Sequence, residues 1–300
     1  DICPSRGLGD VYKRQKGNFS VAGGYASSLG GLYPDGMLTR DDVKHKRTRR
    51  ASQPAFKNDA LKTYVDMLIP IQERRIQDLP VNEEFIFYDN IQKTLMDVAA
   101  RVFIGLDELS PEAKKLGHLF SEINEGLITP LPYDLPFLQF RKSLKAREEL
   151  RQFFIENIPK RRGSNGLDMF TRYCNAKDED GEYLDDIDID GHIAFLLFAA
   201  FDTTTSALTN ILYYLGKNPE WQDKVRNEIF SVTNEMPTFE DLAEMNLTEY
   251  VFQETLRFYP SVMVLNRRTT RDVNVAGYDI PANTVAVSYT HLTLPTIDPV

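Results

Sequence analysis

The stretch from Gly191 to Leu215 reads Gly-His-Ile-Ala-Phe-Leu-Leu-Phe-Ala-Ala-Phe-Asp-Thr-Thr-Thr-Ser-Ala-Leu-Thr-Asn-Ile-Leu-Tyr-Tyr-Leu and constrains the fold more than any other part of the chain. About 25 residues in helical form reach roughly 38 Å, the width of a whole domain. A helix apolar nearly all round belongs in an interior. Asp202 stands at its centre, where a carboxylate is costly unless it is paired, hydrogen-bonded or wetted by a cavity. Thr203, Thr204 and Thr205 follow, although β-branched residues are mediocre helix formers. Local rules broken inside a buried element mark a functional site. The central Asp also argues against a lipid-facing span.

The formal net charge of -9 and pI near 5.1 exclude nucleic acid as a general partner. Two cysteines, Cys3 and Cys174, make no disulfide framework, which points to a reducing compartment. The cytoplasm, or the cytoplasmic face of a membrane, fits. Residues 1–15 show neither a helical nor a strand period, and the segment from Ser288 onward breaks the pattern before it. Both are expected to be non-native tails, leaving residues 16–287 as one domain.

That domain reads as mainly α with a small β element. Ile91, Leu95, Val98 and Val102 predict a helix over 91–104, stopped by Gly105. Ser110-Pro111-Glu112 reads as an N-cap with proline at the first helical position. Leu131-Pro-Tyr-Asp-Leu-Pro-Phe137 is a proline-broken apolar loop, and Arg141 to Ile158 is amphipathic. Helices are also expected from Pro219 to about Val232 and over 247–258, with a capping box at Thr238–Asp241. Val273, Val275, Tyr278 and Ile280 alternate around Gly277, and Pro281-Ala-Asn-Thr284 is a turn in which Asn283 tolerates a left-handed backbone.

Four constellations could carry chemistry. Ala199 and Ala200, one turn before Thr203, would leave a groove beside the long helix, in which a hydroxyl and the Asp202 carboxylate could relay protons. The competing expectation is threonines back-bonded to the preceding turn, with Asp202 held by a distant Arg. Glu254 and Arg257 share a helix face and can pair, as ordinary surface pairs also do. His45 and Arg49, at i and i+4 in Lys44-His-Lys-Arg-Thr-Arg-Arg50, could clasp a carboxylate, or belong to a solvated basic face. The acidic run Asp178 to Asp190 fails the calcium-loop spacing, because centring Gly181 puts Ala176 first and Ile187 twelfth. It also lacks the last acid of a magnesium-diphosphate motif at Ile189, so it reads as an acidic loop at a helix N-terminus. Cys174, His118 and His192 have no ligand-spaced partner and read as structural.

In this order the pieces resemble the cytochrome P450 haem-thiolate monooxygenases, over roughly residues 30–287. Ala199 to Thr204 looks like the family's oxygen-activating helix, with Asp202 as the acid and Thr203 as the alcohol. Glu254 and Arg257 match its Glu-x-x-Arg. His45, Arg49 and Arg267 fall where the family places haem-propionate donors. The loop at 131–136 and its flanks are similar to the retinoic-acid and sterol hydroxylase branch.

The resemblance implies a haem b cofactor, O2 and a lipophilic small-molecule substrate. It also implies an electron-donating ferredoxin or flavoprotein steered by Lys46, Arg47 and Arg50. Catalysis would rest on Asp202 and Thr203, with Ala199 and Ala200 against the haem and Phe198, Phe201 and the 131–137 loop lining the pocket. The family's Phe-x-x-Gly-x-Arg-x-Cys-x-Gly loop is expected beyond this sequence, so the 300 residues are expected to be a fragment truncated at both ends, with no metal ligand of its own and inactive alone. Two other readings are a non-enzymatic helical interaction protein and a diphosphate-handling enzyme using Asp185, Asp186 and Asp188.

Overall fold

The computed structural model describes residues 17–275 and 277–289. In chain order its helices are α1 (Val21–Tyr25), α2 (Asp42–Ser52), α3 (Asn58–Gln77), α4 (Phe87–Val98), α5 (Pro111–Leu127), α6 (Gln139–Arg161), α7 (Met169–Cys174), α8 (Asp186–Lys217), α9 (Pro219–Val232) and α10 (Asn246–Phe258). The strands are β1 (Phe19–Ser20), β2 (Val264–Thr269), β3 (Val273–Val275), β4 (Tyr278–Ile280) and β5 (Val285–Tyr289). The mainly α class with a small β element is what the sequence led us to expect.

The long apolar stretch is the 32-residue α8. Its acidic first turn, Asp186 and Asp188, complements the positive end of the helix dipole, and Lys217 lies in its last turn. Interior burial is densest in the first half and fades toward the end: Ile189, Ile193 and Ala194 are fully enclosed, Thr205 and Ala207 are still buried, and Leu212 and Tyr213 are exposed. Among the described residues α8 is the one helix long and apolar enough to cross a membrane.

Helices α5 and α6 form an antiparallel pair. Gly126 lets them approach, since a Cβ there would fall 2.6 Å from Cβ of Ser143, and the Ser143 hydroxyl donates to the Glu122 carbonyl at 2.5 Å. Phe154 and Ile158 of α6, Phe170 and Cys174 of α7 and Ile193 of α8 meet in one core. Ser110 caps α5 by accepting from the Ala113 amide at 3.1 Å, as its sequence position suggests. Helix α4 continues into a π-helical turn, Ala99–Ile104, that ends on Gly105 with φ +74°.

Strands β1, β2 and β5 make an antiparallel sheet, with Phe19 opposite Thr269 and Asn266 opposite Val287. Strands β3 and β4 are the hairpin expected around Gly277, and Asn283 in the following turn has φ +63°. Of the stretches set apart as tails, Ser288 and Tyr289 pair with Leu265 and Val264, while residues 1–15 and 290–300 lie outside the described residues.

The seat of α8 depends on Gly191. A Cβ there would lie 2.5 Å from Cβ of Asp35 and 2.6 Å from its carbonyl oxygen. Gly191→Ala gains up to about 1 kcal/mol in helix propensity. The overlap costs about 1–3 kcal/mol. A net destabilisation is expected in urea unfolding, and an unchanged midpoint would show that α8 can slide to accommodate the methyl group.

Candidate active site

Asp202 and Thr203 sit mid-way along α8. The Thr203 hydroxyl donates to the Ala199 carbonyl at 2.6 Å, and Thr205 and Thr209 bond back in the same way at 2.8 and 2.7 Å. Back-bonding and a groove are compatible, because Thr203 and Thr204 also line a cleft of about 330 Å³ with Ala207, Phe252, Leu256 and Pro260. The Thr203 oxygen keeps acceptor capacity after donating its proton. Ser261, in the loop between α10 and β2, donates to the Thr203 carbonyl at 2.9 Å and ties that loop to the helix.

Asp202 has no hydrogen-bond donor or cation among the described residues. It stands at a rim: the side chain is open to solvent, yet enclosure on its inner side raises its carboxyl pKa. The distant Arg weighed from the sequence exists but serves a different acid. Arg147 of α6 grips Asp190 through two bonds of 2.9 and 2.6 Å, and Arg40 takes Asp188 at 2.6 Å.

His45 and Arg49 lie one turn apart on α2. Burial first, and then the Arg49 guanidinium, lower the His45 pKa. Arg49 reaches a cavity of about 480 Å³ between α2 and α8, lined also by Ser52, Gln53, Tyr173 and His192. His192, which reads as structural in the sequence, is buried there with Nε2 unpartnered.

The acidic run folds back on α2. Asp178 accepts the amides of Asp180 and Glu182 at 3.0 Å each, closing a tight hairpin. From it Asp178 binds Arg47 at 2.8 Å and Glu179 binds Arg50 at 2.5 Å. Further along the run Arg162 takes Asp186 at 2.6 Å, so most of these acids, though not Asp180 or Glu182, are engaged by arginines. Two of the three cations assigned to an electron donor are likewise taken, leaving Lys46.

Glu254 and Arg257 pair through two 2.8 Å bonds at the surface of α10. They border a groove of about 750 Å³ with Tyr214, Trp221 and Phe258. Arg267 is central in β2, opposite Ala286, and its backbone packs so close to α1 that a Cβ on Gly24 would lie 2.7 Å from its Cα.

The structure does not bring the expected apolar pocket together. Phe198 stacks on Tyr33 at 4.9 Å, Phe201 meets Phe120 edge-on at 5.4 Å, and the 131–137 loop is exposed, Phe137 almost wholly so. Neither phenylalanine borders the Thr203 cleft.

The donor chemistry fits a haem in part. Arg49 and His45 suit its carboxylate edge, whereas Ala199 and Ala200 are half-buried on α8 and border neither the Thr203 cleft nor the Arg49 cavity. No described residue offers a thiolate: Cys174 is fully buried in α7, and burial pushes its thiol up to about 12. Cys3 lies outside the described residues.

The family profile described as Cytochrome P450 matches residues 10–293. Cytochrome P450 136 of Mycobacterium tuberculosis is 30% identical over 287 residues, covering 93% of this chain and 57% of that protein. Taxoid 14-beta-hydroxylase of Taxus cuspidata is 30% identical over 250 residues, covering 79% and 49% respectively. The chain thus spans about half the length of these relatives. The structure of retinoic acid bound cyanobacterial CYP120A1 superposes with a TM-score of 0.84 at 26% identity, covering 94% of this chain and 65% of that one.

Proposed function

This chain belongs to the cytochrome P450 family, and from that premise we propose that it carries the oxygen-handling helix of a haem-dependent monooxygenase acting on a lipophilic small molecule. The observation that carries the reading is Asp202: a carboxyl of raised pKa with no cation beside it, next to a threonine that borders a cleft. The hydroxylase name of the Taxus relative and the retinoic acid in the cyanobacterial structure support a lipophilic substrate. When bound, iron protoporphyrin IX supplies the redox chemistry with O2.

The chain's own residues do the rest. Arg49 and His45 bind and orient the porphyrin carboxylates by charge-assisted hydrogen bonds, with Arg267 as a third donor. Ala199 and Ala200 keep the helix close to the ring. Thr203 holds a water or substrate oxygen at its hydroxyl, and Asp202 exchanges protons with solvent from the rim. The electron donor is an acidic ferredoxin or a flavoprotein. Lys46 is its remaining anchor on α2, since Arg47 and Arg50 are engaged by Asp178 and Glu179.

The test is a titration with iron protoporphyrin IX. A saturable Soret shift at one equivalent is expected, weakened about tenfold in Arg49→Ala, as for a hydrogen bond to a charged group. A protein that leaves the Soret band unmoved at every ratio would overturn the reading. After reduction under carbon monoxide, the 300-residue polypeptide is expected to lack the band of thiolate-ligated haem, because Cys174, the one cysteine among the described residues, is buried and protonated. Appearance of that band would show that the thiolate comes from within these residues.

A further inference from the structure

Two buried side-chain nitrogens among the described residues have no partner, Arg162 Nε and His192 Nε2. Arg162 is otherwise well served, giving Nη2 to the Leu184 carbonyl and to Asp186 and lying over the Tyr183 ring. His192 makes no hydrogen bond to any described residue, although it is 1% exposed. Burying a polar group unsatisfied costs about 1–3 kcal/mol. An unexplained cost of that kind at a cavity wall calls for a ligand.

The cavity defines the ligand's chemistry. His192 projects from α8 and Arg49 from α2 onto the same 480 Å³ space, and Arg49 also has no hydrogen-bond or ion-pair partner among the described residues. The Ser52 hydroxyl is spent on the Thr48 carbonyl at 2.6 Å. No acid among the described residues lines the cavity, and Phe56, Phe195 and Leu196 give it an apolar wall. One cation, one free imidazole and an apolar floor suit an amphiphile with an anionic head. Burial, and then the Arg40 guanidinium, hold the His192 pKa down at about 3, so the ring stays neutral and keeps one N–H to donate.

We propose that His192 is a carboxylate-binding residue which, with Arg49, grips the carboxylate of an amphiphilic ligand between α2 and α8. The inference deepens the cofactor reading and rests on it in naming a porphyrin propionate as that carboxylate. The carboxylate of a lipophilic acid has the same chemistry and is the other source.

The test compares the wild-type protein with His192→Leu, His192→Gln and Arg49→Ala. Each is titrated with iron protoporphyrin IX, with its dimethyl ester, and with palmitate in the absence of porphyrin. His192→Leu is expected to weaken binding of the free-acid porphyrin about tenfold and to leave the ester's affinity unchanged, with His192→Gln recovering part of the loss. The thermal midpoint of the ligand-free protein is expected to rise in His192→Leu, because an orphaned polar atom is replaced by an apolar one; a merely structural histidine would lower it. A loss confined to palmitate would support the carboxylate site and assign it to a lipophilic acid. If Arg49→Ala weakens the porphyrin and His192→Leu weakens neither ligand, the proposal falls and the cofactor reading stands. If the wild type takes up no porphyrin, the cofactor reading fails, and unchanged palmitate binding in His192→Leu then overturns the proposal too.

Discussion

Asp202→Asn is expected to lower turnover about a hundredfold in a thiolate-ligated, haem-loaded monooxygenase that carries this chain, while making the 300-residue protein itself more stable at neutral pH. The first effect follows from the proposed proton delivery, since a positioned acid contributes roughly 10² to 10⁴ in rate. Activity in the wild type should fall as pH rises past the raised Asp202 pKa, where the carboxyl can no longer donate, and the variant should lack that limb. The second effect follows from linkage. The folded state binds the Asp202 proton more tightly than the unfolded chain, whose value is near 3.8. Its contribution is therefore fully present below 3.8 and is lost as pH rises through the folded value. Asparagine carries no such loss, so the gain in thermal midpoint appears at pH 7 and vanishes near pH 3. Equal activity in variant and wild type would remove Asp202 from the mechanism. A variant less stable at pH 7 would mean that the carboxylate has a stabilising partner.

What the sequence made legible, and what it did not, follows from how far each signal reaches along the chain. Helical spacing is local, so the pairing of Glu254 with Arg257, the shared face of His45 and Arg49 and the Ser110 cap were all readable. Helix α3 is not legible in the sequence, because Pro70 and a scatter of charges mask its period. Strand β2 is not legible either, because Asn266, Arg267 and Arg268 carry no alternation; partners far along the chain, Phe19–Ser20 and Val285–Tyr289, make it a strand. That Phe201 does not share the Thr203 cleft follows from the helix period. Two residues turn a helix by about 200°, so Phe201 faces away from Thr203 and toward Phe120. His192 and Ser261 gave no sequence signal, since one matters through a cavity shared with α2 and the other through a carbonyl 58 positions away.

The other large effect is structural and lies one turn inside α8. Arg147 and Asp190 are both nearly inaccessible, and Arg147 Nε also donates to the Leu32 carbonyl at 3.1 Å. Arg147→Ala would strip the buried Asp190 of its bidentate partner and leave that carbonyl bare. Breaking one side of a buried pair costs about 3–5 kcal/mol, a large share of a typical domain's stability. Replacing both partners, Arg147→Met with Asp190→Leu, removes the stranded charge and is expected to recover most of the loss, because a buried pair offers little over apolar side chains of similar volume. Urea unfolding of the two single variants and the double variant measures the coupling directly. Losses that simply add would mean that Arg147 and Asp190 act independently, and that α8 is held instead by the packing of Ile189, Ile193 and Ala194 against the core.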